Sequence, residues 1–440
     1  MTRLSGWGRT PVVEASERLS EEMLEVCRGA MLTRGLGRSY GDASLPHREG
    51  STVACSRLAD RVLAFDTSTG VLRAEAGFRL STLDALARPI GWTSPVCPGT
   101  SWVTLGGMVA SDIHGKNHHV AGTFGGHVRS LSLLVADGRI LEIGPASEPE
   151  LFAATLGGMG LTGHILEVEV QLTKTASPWI HIEEQPVPNL DVLLTKLREA
   201  SNSWPYTVAW VDALARGPSM GRGVVMSGRW AEPHEAPAHQ PPAQREFRLP
   251  VDLPGWALGR FSVKAFDELF YHSHRLRPRR GIVHPVAFFY PLDACLDWNR
   301  MYGRRGFIQY QCVLPVPDDS SVVRRFFETL TAIGGASFLT VIKDCGPEGR
   351  GLLSFPRPGV SVALDLPMRG AATQALVDAL NEVVIDAGGR IYLAKDSLTR
   401  PEHFRAMEPR IETFNKVRRA WDPEASLRSA LSVRLLGDEA

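Results

Sequence analysis

Arg34-Gly35-Leu36-Gly37-Arg38-Ser39-Tyr40-Gly41-Asp42 is the stretch that decides the fold. Further along, the chain reads Pro98-Gly99-Thr100, Thr104-Leu105-Gly106-Gly107 and Ser111-Asp112-Ile113-His114-Gly115-Lys116-Asn117-His118-His119. These are two glycine-studded loops, rich in donors and poor in carboxylates. Glycine lets the backbone turn several N–H groups toward one point, and such nests bind phosphate. Two of them in order, the second running into a histidine-rich segment, predict a large phosphate-containing cofactor with reactive groups beside it.

The grammar is not that of the common nucleotide loops. A dinucleotide-binding turn needs G-x-G-x-x-G, and Tyr40 stands where its third glycine belongs; a P-loop needs G-K-[ST], and Gly115-Lys116-Asn117 does not supply it. The segments 34–42, 98–100 and 111–119, with 123–130 (TFGGHVRS) and 156–163 (LGGMGLTG), closely resemble the vanillyl-alcohol oxidase/p-cresol methylhydroxylase superfamily of flavoproteins. Within it they are most similar to the branch that oxidises decaprenylphosphoryl-β-D-ribose. The similarity runs from Gly6-Trp7-Gly8-Arg9-Thr10 to the C-terminal helix, and the histidine loop is its most specific part.

The resemblance implies an α+β fold: a two-part FAD-binding domain of the p-cresol methylhydroxylase type, plus a substrate domain with a ferredoxin-like antiparallel sheet. The implied divisions are residues 1–178 for the FAD domain, 179–389 for the substrate domain with a mobile loop at 232–250, and 390–440 for a segment returning to the FAD domain. Arg34, Gly35, Leu36, Gly37, Arg38, Ser39, Tyr40 and Gly41 would bind the pyrophosphate side of the cofactor. Gly99, Thr104, Leu105, Gly106, Gly107, Ser111, Asp112, Ile113, His114, Asn117, Ile165, Tyr392 and Lys395 would complete its bed. Arg38 stands where members with covalently attached flavin carry His, so FAD is expected to be dissociable.

Lys395 is implied as the basic residue at the flavin, a preorganised cation for developing negative charge. His114 is the acid–base candidate, because imidazole accepts a proton near neutral pH. Tyr40, Gln309, Gln311 and Lys343 match substrate-pocket positions, and period-two geometry puts Gln309 and Gln311 on one face of a strand. The cluster His114, His118, His119 and His127 lacks carboxylate or cysteine partners in a usual ligand spacing, so no metal is expected. Three departures bear on the pocket: Met159 where relatives have Asn, Phe289-Tyr290 where Tyr-His is usual, and Ser361 and Ala363 where Asn and Cys are usual.

The implied activity is oxidation of the 2-hydroxyl of a polyprenyl-phosphoryl-β-D-ribofuranose to a keto sugar. This is the first half of an epimerisation that feeds cell-wall arabinan, and a separate short-chain NAD(P)H-dependent reductase would complete it. Alternatives are an FAD-dependent sugar, alditol or aldonolactone oxidase acting on a soluble substrate, and a flavin-bearing scaffold without turnover.

Composition narrows the field. Of 440 residues 44% are hydrophobic, enough for two or three domains. Lys plus Arg and Asp plus Glu each number 48, so no global charge points to nucleic acid. Residues 1–29 lack a signal-peptide apolar run and no stretch suits a membrane span, which predicts a soluble or peripheral chain; cytoplasmic placement follows from the first point, cell-envelope association from the resemblance. Cys27, Cys55, Cys97, Cys295, Cys312 and Cys345 form no CxxC pair and read as reduced core residues.

Along the chain, 62–65 and 71–76 suggest a hairpin, as do 131–136 and 139–143 around Asp137-Gly138, read as a type I′ turn. A strand at 307–313, a helix at 318–333 begun by an Asp-Asp-Ser cap, and strands at 337–342 and 360–366 follow. A helix at 371–387 and a strand at 390–393 close a ferredoxin-like βαββαβ plan. Residues 232–250 hold five prolines and little that packs. The run His272–Arg280 (HSHRLRPRR) reads either as a solvated basic face or as a docking site for lipid phosphate or an anionic membrane.

Overall fold

The computed structural model describes residues 1–242, 245–255, 257–315 and 320–439. Its N-terminal part holds two sheets. Thr2–Ser5, Val12–Leu19, Thr52–Cys55 and Thr33–Arg34 form a small mixed sheet. Val62–Asp66, Val71–Glu75, His164–Gln171, Val128–Leu134 and Ile140–Ile143 form an antiparallel one. The expected hairpins are both present. Gly70 takes φ +76°, which the tight turn between the first pair requires. At the second, only Gly138 has positive φ, so the turn is not type I′, which needs positive φ at both central residues. Instead Asp137 keeps an ordinary backbone and its carboxylate accepts from the Arg139 N–H at 3.0 Å.

The rest of the chain is built on one eight-stranded antiparallel sheet. In space the order is Arg280–Val283, Ile180–Val187, Gly223–Trp230, Tyr206–Val211, Thr340–Cys345, Gly359–Pro367, Phe307–Leu314 and Arg390–Ile391. This is the ferredoxin-like plan twice. The expected unit is Phe307–Leu314, helix Ser321–Ala332, Thr340–Cys345, Gly359–Pro367, helix Ala371–Asp386 and Arg390–Ile391. Its first helix is preceded by Ser320 as N-cap; Asp318 and Asp319 of the expected cap lie outside the described residues. A second copy precedes it: Ile180–Val187, helix Leu190–Ser201, Tyr206–Val211, Gly223–Trp230, helix Arg260–Leu276 and Arg280–Val283. The two copies meet edge to edge at Ala209↔Ile342 and Trp210↔Val341.

The α+β expectation therefore holds. A single large core spans the two helices Ser321–Ala332 and Ala371–Asp386, the sheet beneath them and the C-terminal helices, with Phe326, Val362, Leu380 and Phe414 fully buried. A separate core fills the side of the five-stranded sheet, around Leu105, Met108, Phe124 and Val168. Among the described residues after 400, the chain forms three helices, Pro401–Met407, Ile411–Trp421 and Ala430–Leu435. In the proline-rich segment, Glu235 is held by Arg229 at 2.7 Å and by His181 at 3.0 Å. The His239 carbonyl accepts from Trp179 Nε1 at 2.9 Å, and Phe247–Arg248 pairs with Cys295–Leu296. These anchors order the segment more than its composition suggests; Ala243 and Gln244 lie outside the described residues.

Candidate active site

The two glycine loops come together. A side chain at Gly35 would run into Thr104 Oγ1, and Thr104 caps the short helix Leu105–Ala110 through the Gly107 N–H at 3.3 Å. The Gly106 N–H donates to the Ala76 carbonyl at 2.8 Å, and a Cβ at this position would crowd Ala76 at 2.9 Å. Gly37 takes φ +63° directly over the Arg34 guanidinium. That guanidinium is engaged inside the protein, donating to the Ser5 carbonyl at 2.6 Å and to Ser44 Oγ at 2.9 Å. Arg34 thus braces the loop from behind. Arg38 stands on the other side, 3.9 Å above the Trp7 ring and 6.0 Å from that of Trp102; its Nε is buried without a hydrogen-bond partner. Leu36 and Ser39 are half-buried between them, and the Ser39 carbonyl accepts from the Trp7 N–H.

The histidine loop is pinned by Asp112, fully buried, which accepts from the Gly125 N–H at 2.8 Å and from Ser354. Ile113 and Ile165 lie in the second core with Leu105. Asn117 donates to the Pro95 carbonyl at 2.8 Å and leaves its Oδ1 buried and unpaired. The Ser111 carbonyl accepts from the Tyr392 hydroxyl at 2.9 Å, and Tyr392 stacks on Phe355 with centroids 4.9 Å apart. Gly99 has open space around it, and Gly41 packs on the Asp396 carbonyl.

His114 sits where loop and sheet meet. Its Nε2 is 3.0 Å from Gln311 Nε2, its Nδ1 is 3.3 Å from Lys343 Nζ, and its ring packs against Phe355 and Tyr392. With an ammonium on Lys343, Nδ1 accepts, Nε2 carries the proton, and Gln311 must turn its carbonyl to it. Burial first, then the Lys343 charge, holds the His114 pKa well below its ordinary value. His118 is lowered to about 4 by burial; its Nδ1 accepts from the Gly346 N–H. His119 and His127 contact backbone carbonyls at 3.0 and 2.8 Å. No group of His, Cys, Asp or Glu among the described residues is arranged to hold a metal.

On the sheet face opposite the loop, Gln309 donates to Asp365 at 2.6 Å and Gln311 lies 3.0 Å from Ser361 Oγ. Tyr302 donates to the other oxygen of Asp365 at 3.0 Å, and burial raises this carboxyl to about 6. Lys395 reaches in from the loop after the last strand, its Nζ 4.0 Å from the centre of the Tyr40 ring. Burial lowers Lys395 and Lys116 to about 7 and Lys343 to about 8. Lys116 Nζ donates to the Phe289 carbonyl at 3.0 Å. The charge of Asp365 partly offsets the lowering at Lys395.

Three half-buried lysines near a single carboxylate are costly, and they suit a site that receives an anion. The glycine cradle, the unpaired Arg38 Nε and Asn117 Oδ1, and this positive field fit a flavin dinucleotide between the two loops. The sequence reading missed Asp365, although it lies two residues from Ala363 and four from Ser361 on one strand, and so shares their face. It also missed Tyr302 and Phe355, whose roles depend on contacts with distant residues. Phe289 packs against Tyr206 and Trp230, and the Tyr290 hydroxyl donates to Asp84 at 2.9 Å, beside Arg88.

An FAD binding domain family matches residues 16–144, which contain both glycine loops and the histidine loop. The chain is 36% identical to decaprenylphosphoryl-beta-D-ribose oxidase of Mycolicibacterium smegmatis, over 98% of this chain and 97% of that one. An uncharacterised protein of Streptomyces coelicolor is 36% identical over 81% of this chain and 99% of its own length. Delta(24)-sterol reductase of Rattus norvegicus is similar only over 32% of this chain, at 26% identity. The cradle, the positive field behind it and a match along both full lengths agree: the chain is an FAD-dependent oxidoreductase and belongs to the decaprenylphosphoryl-β-D-ribose oxidase family.

Proposed function

We propose that the chain oxidises the 2-hydroxyl of a polyprenyl-phosphoryl-β-D-ribofuranose to the 2-keto sugar, as the first half of an epimerisation in arabinan precursor synthesis. The observation that carries this reading is the convergence of Gln309, Gln311, Lys343 and Lys395 on one site, where Asp365 is the carboxylate whose charge acts on Lys395. Amides and ammoniums side by side suit a polyhydroxylated sugar bearing a phosphate. Bound FAD supplies the two-electron acceptor for the carbinol hydrogen. The glycine loops with Arg38 would hold its pyrophosphate, and Ile165 and Tyr392 its ring.

Lys395 acts as a fixed cation where negative charge develops and as a donor to the reacting hydroxyl. His114, neutral at physiological pH, takes the hydroxyl proton at Nδ1 once Lys343 gives way to substrate, while Nε2 keeps its own proton toward Gln311. Gln309, Gln311, Tyr40 and Lys343 position the sugar. A short-chain NAD(P)H-dependent reductase would then return the ketone with inverted configuration. Arg38 offers no atom for a histidyl bond, so FAD is held without covalent attachment: acid precipitation should leave flavin in the supernatant, and a flavin-bearing peptide after digestion would refute this.

Anaerobic flavin bleaching tests the substrate. Polyprenyl-phosphoryl ribose should bleach the flavin at concentrations where free pentoses, alditols and aldonolactones do not. Equal or better bleaching by the soluble panel would replace the lipid-linked reading with that of a soluble sugar oxidase.

A further inference from the structure

We propose that the outward face of the helix Arg260–Leu276 docks the protein on an anionic lipid bilayer. The proposal rests on the lipid-linked substrate read above. The helix turns Val263, Asp267, Tyr271 and His274 into the body of the first ferredoxin-like unit. Directly opposite, at helical spacing, stand Phe261, Leu269 and Leu276, which are 88%, 72% and 81% exposed. Ala265, also exposed, continues the same stripe. A surface helix in a folded domain ordinarily shows water a polar face. This one sets Phe261, Leu269 and Leu276 in water, with His272 the polar side chain among them.

Charge identifies the occupant. Lys264 and Arg275 flank the stripe, and Arg277, Arg279 and Arg280 follow its C-terminal end; all five are exposed. The acidic groups nearby are engaged. Glu268 pairs with Arg222 at 2.6 Å and lies 3.3 Å from His272, Asp267 faces inward, and Glu183 sits 3.7 Å from Arg280. An apolar stripe with a cationic rim is the pattern of a helix lying in a membrane interface. A second copy of the chain would set the same arginines against one another.

The helix also starts at the pocket wall. Leu258, just before it, packs with Tyr40, Trp298, Tyr302 and Phe307. Phe266 lies 4.6 Å from Phe338, next to Ser337, whose hydroxyl accepts from the Asp365 N–H at 2.9 Å. A bilayer seated on the stripe would therefore lie next to the sugar site, where a polyprenyl chain has to leave it.

The test is co-sedimentation of the FAD-loaded protein with phosphatidylcholine vesicles, with and without phosphatidylglycerol. Binding should require phosphatidylglycerol and weaken with salt. The variant F261S/L269S/L276S, altered only on the exposed face, should bind at least about tenfold more weakly, and so should R275E/R277E. Neither should change flavin reduction by a short soluble analogue, and circular dichroism should report both as folded. Unchanged binding of the apolar variant would overturn the proposal. So would a wild-type dimer that this variant dissociates, since the stripe would then belong to a second copy. Vesicle binding with no bleaching by any lipid-linked sugar would sink the substrate reading and leave the docking face standing; the reverse result would do the opposite.

Discussion

The Lys395 ammonium lies 4.0 Å from the centre of the Tyr40 ring, and the Tyr40 N–H donates to the carbonyl of Ala394 at 2.9 Å. The glycine loop and the loop after the last strand are thus tied at two points, so the cation and the cofactor cradle move as one body. Lys395→Ala removes the charge but no ion pair, so the fold and FAD content should survive. Flavin reduction should fall about a hundredfold, the cost of roughly 3 kcal/mol for losing one preorganised donor. Stopped-flow reduction at the wild-type rate in a fully loaded variant would contradict the role.

The pH profile follows from the same groups. Lys395 and Lys343, lowered to about 7 and about 8, lose their charges as pH rises, so kcat/KM should decline on the alkaline side from about 7 upward. His114, neutral until well below 6.5, sets no acid limb near neutrality. An anionic substrate raises both lysine pKa values, so the alkaline limb of kcat should lie above that of kcat/KM. Lys343→Met removes a charge facing His114 Nδ1, and the histidine pKa should rise on NMR titration. An unmoved His114 resonance would show that the contact carries no electrostatic weight.

Arg434 should matter as much as any residue in the motifs. It holds Asp42, at the end of the glycine loop, by two contacts of 2.8 Å, and Asp396, next to Lys395, at 2.9 Å. Arg434→Ala would leave two buried carboxylates without their cation, a loss of about 3–5 kcal/mol. Urea unfolding should show that loss and FAD should bind more weakly, with partial recovery in Arg434→Lys. Full stability in the alanine variant would mean that other donors hold both aspartates.

Asp267, on the inward face of the docking helix, is almost fully buried, and neither of its oxygens accepts a hydrogen bond from a described donor. Burial and then the neighbouring Asp212 raise it from 3.8 to about 8. The unfolded chain ionises near 3.8 while the folded one keeps its proton, so stability falls as pH climbs between those values. Asp267→Asn removes that dependence. Its melting temperature should exceed the wild-type value at pH 8 and approach it at pH 4; a gap that does not vary with pH would show that the carboxyl titrates normally.

The parts of this molecule legible in the sequence are those whose requirement is local. Gly35, Gly37 and Gly106 announce themselves because a side chain would crowd their surroundings, and alternation in 307–313 reveals which amides share a face. The first ferredoxin-like unit was not visible, because the proline-rich segment separates its strand Gly223–Trp230 from its helix Arg260–Leu276 and hides the rhythm. Arg434 could not be connected to Asp42 because the contact spans nearly the whole chain. Asp365 was within reach: the alternation that marks Ser361 and Ala363 reaches it at the next step.

The edge-to-edge seam at Ala209↔Ile342 and Trp210↔Val341 has an evolutionary meaning. The copy after the seam supplies Gln309, Gln311, Lys343, Ser361 and Asp365, while the copy before it supplies none of the predicted catalytic or sugar-binding side chains. A lineage could therefore rewrite the first copy, changing what the protein sits on or beside, without disturbing the chemistry inherited by the second.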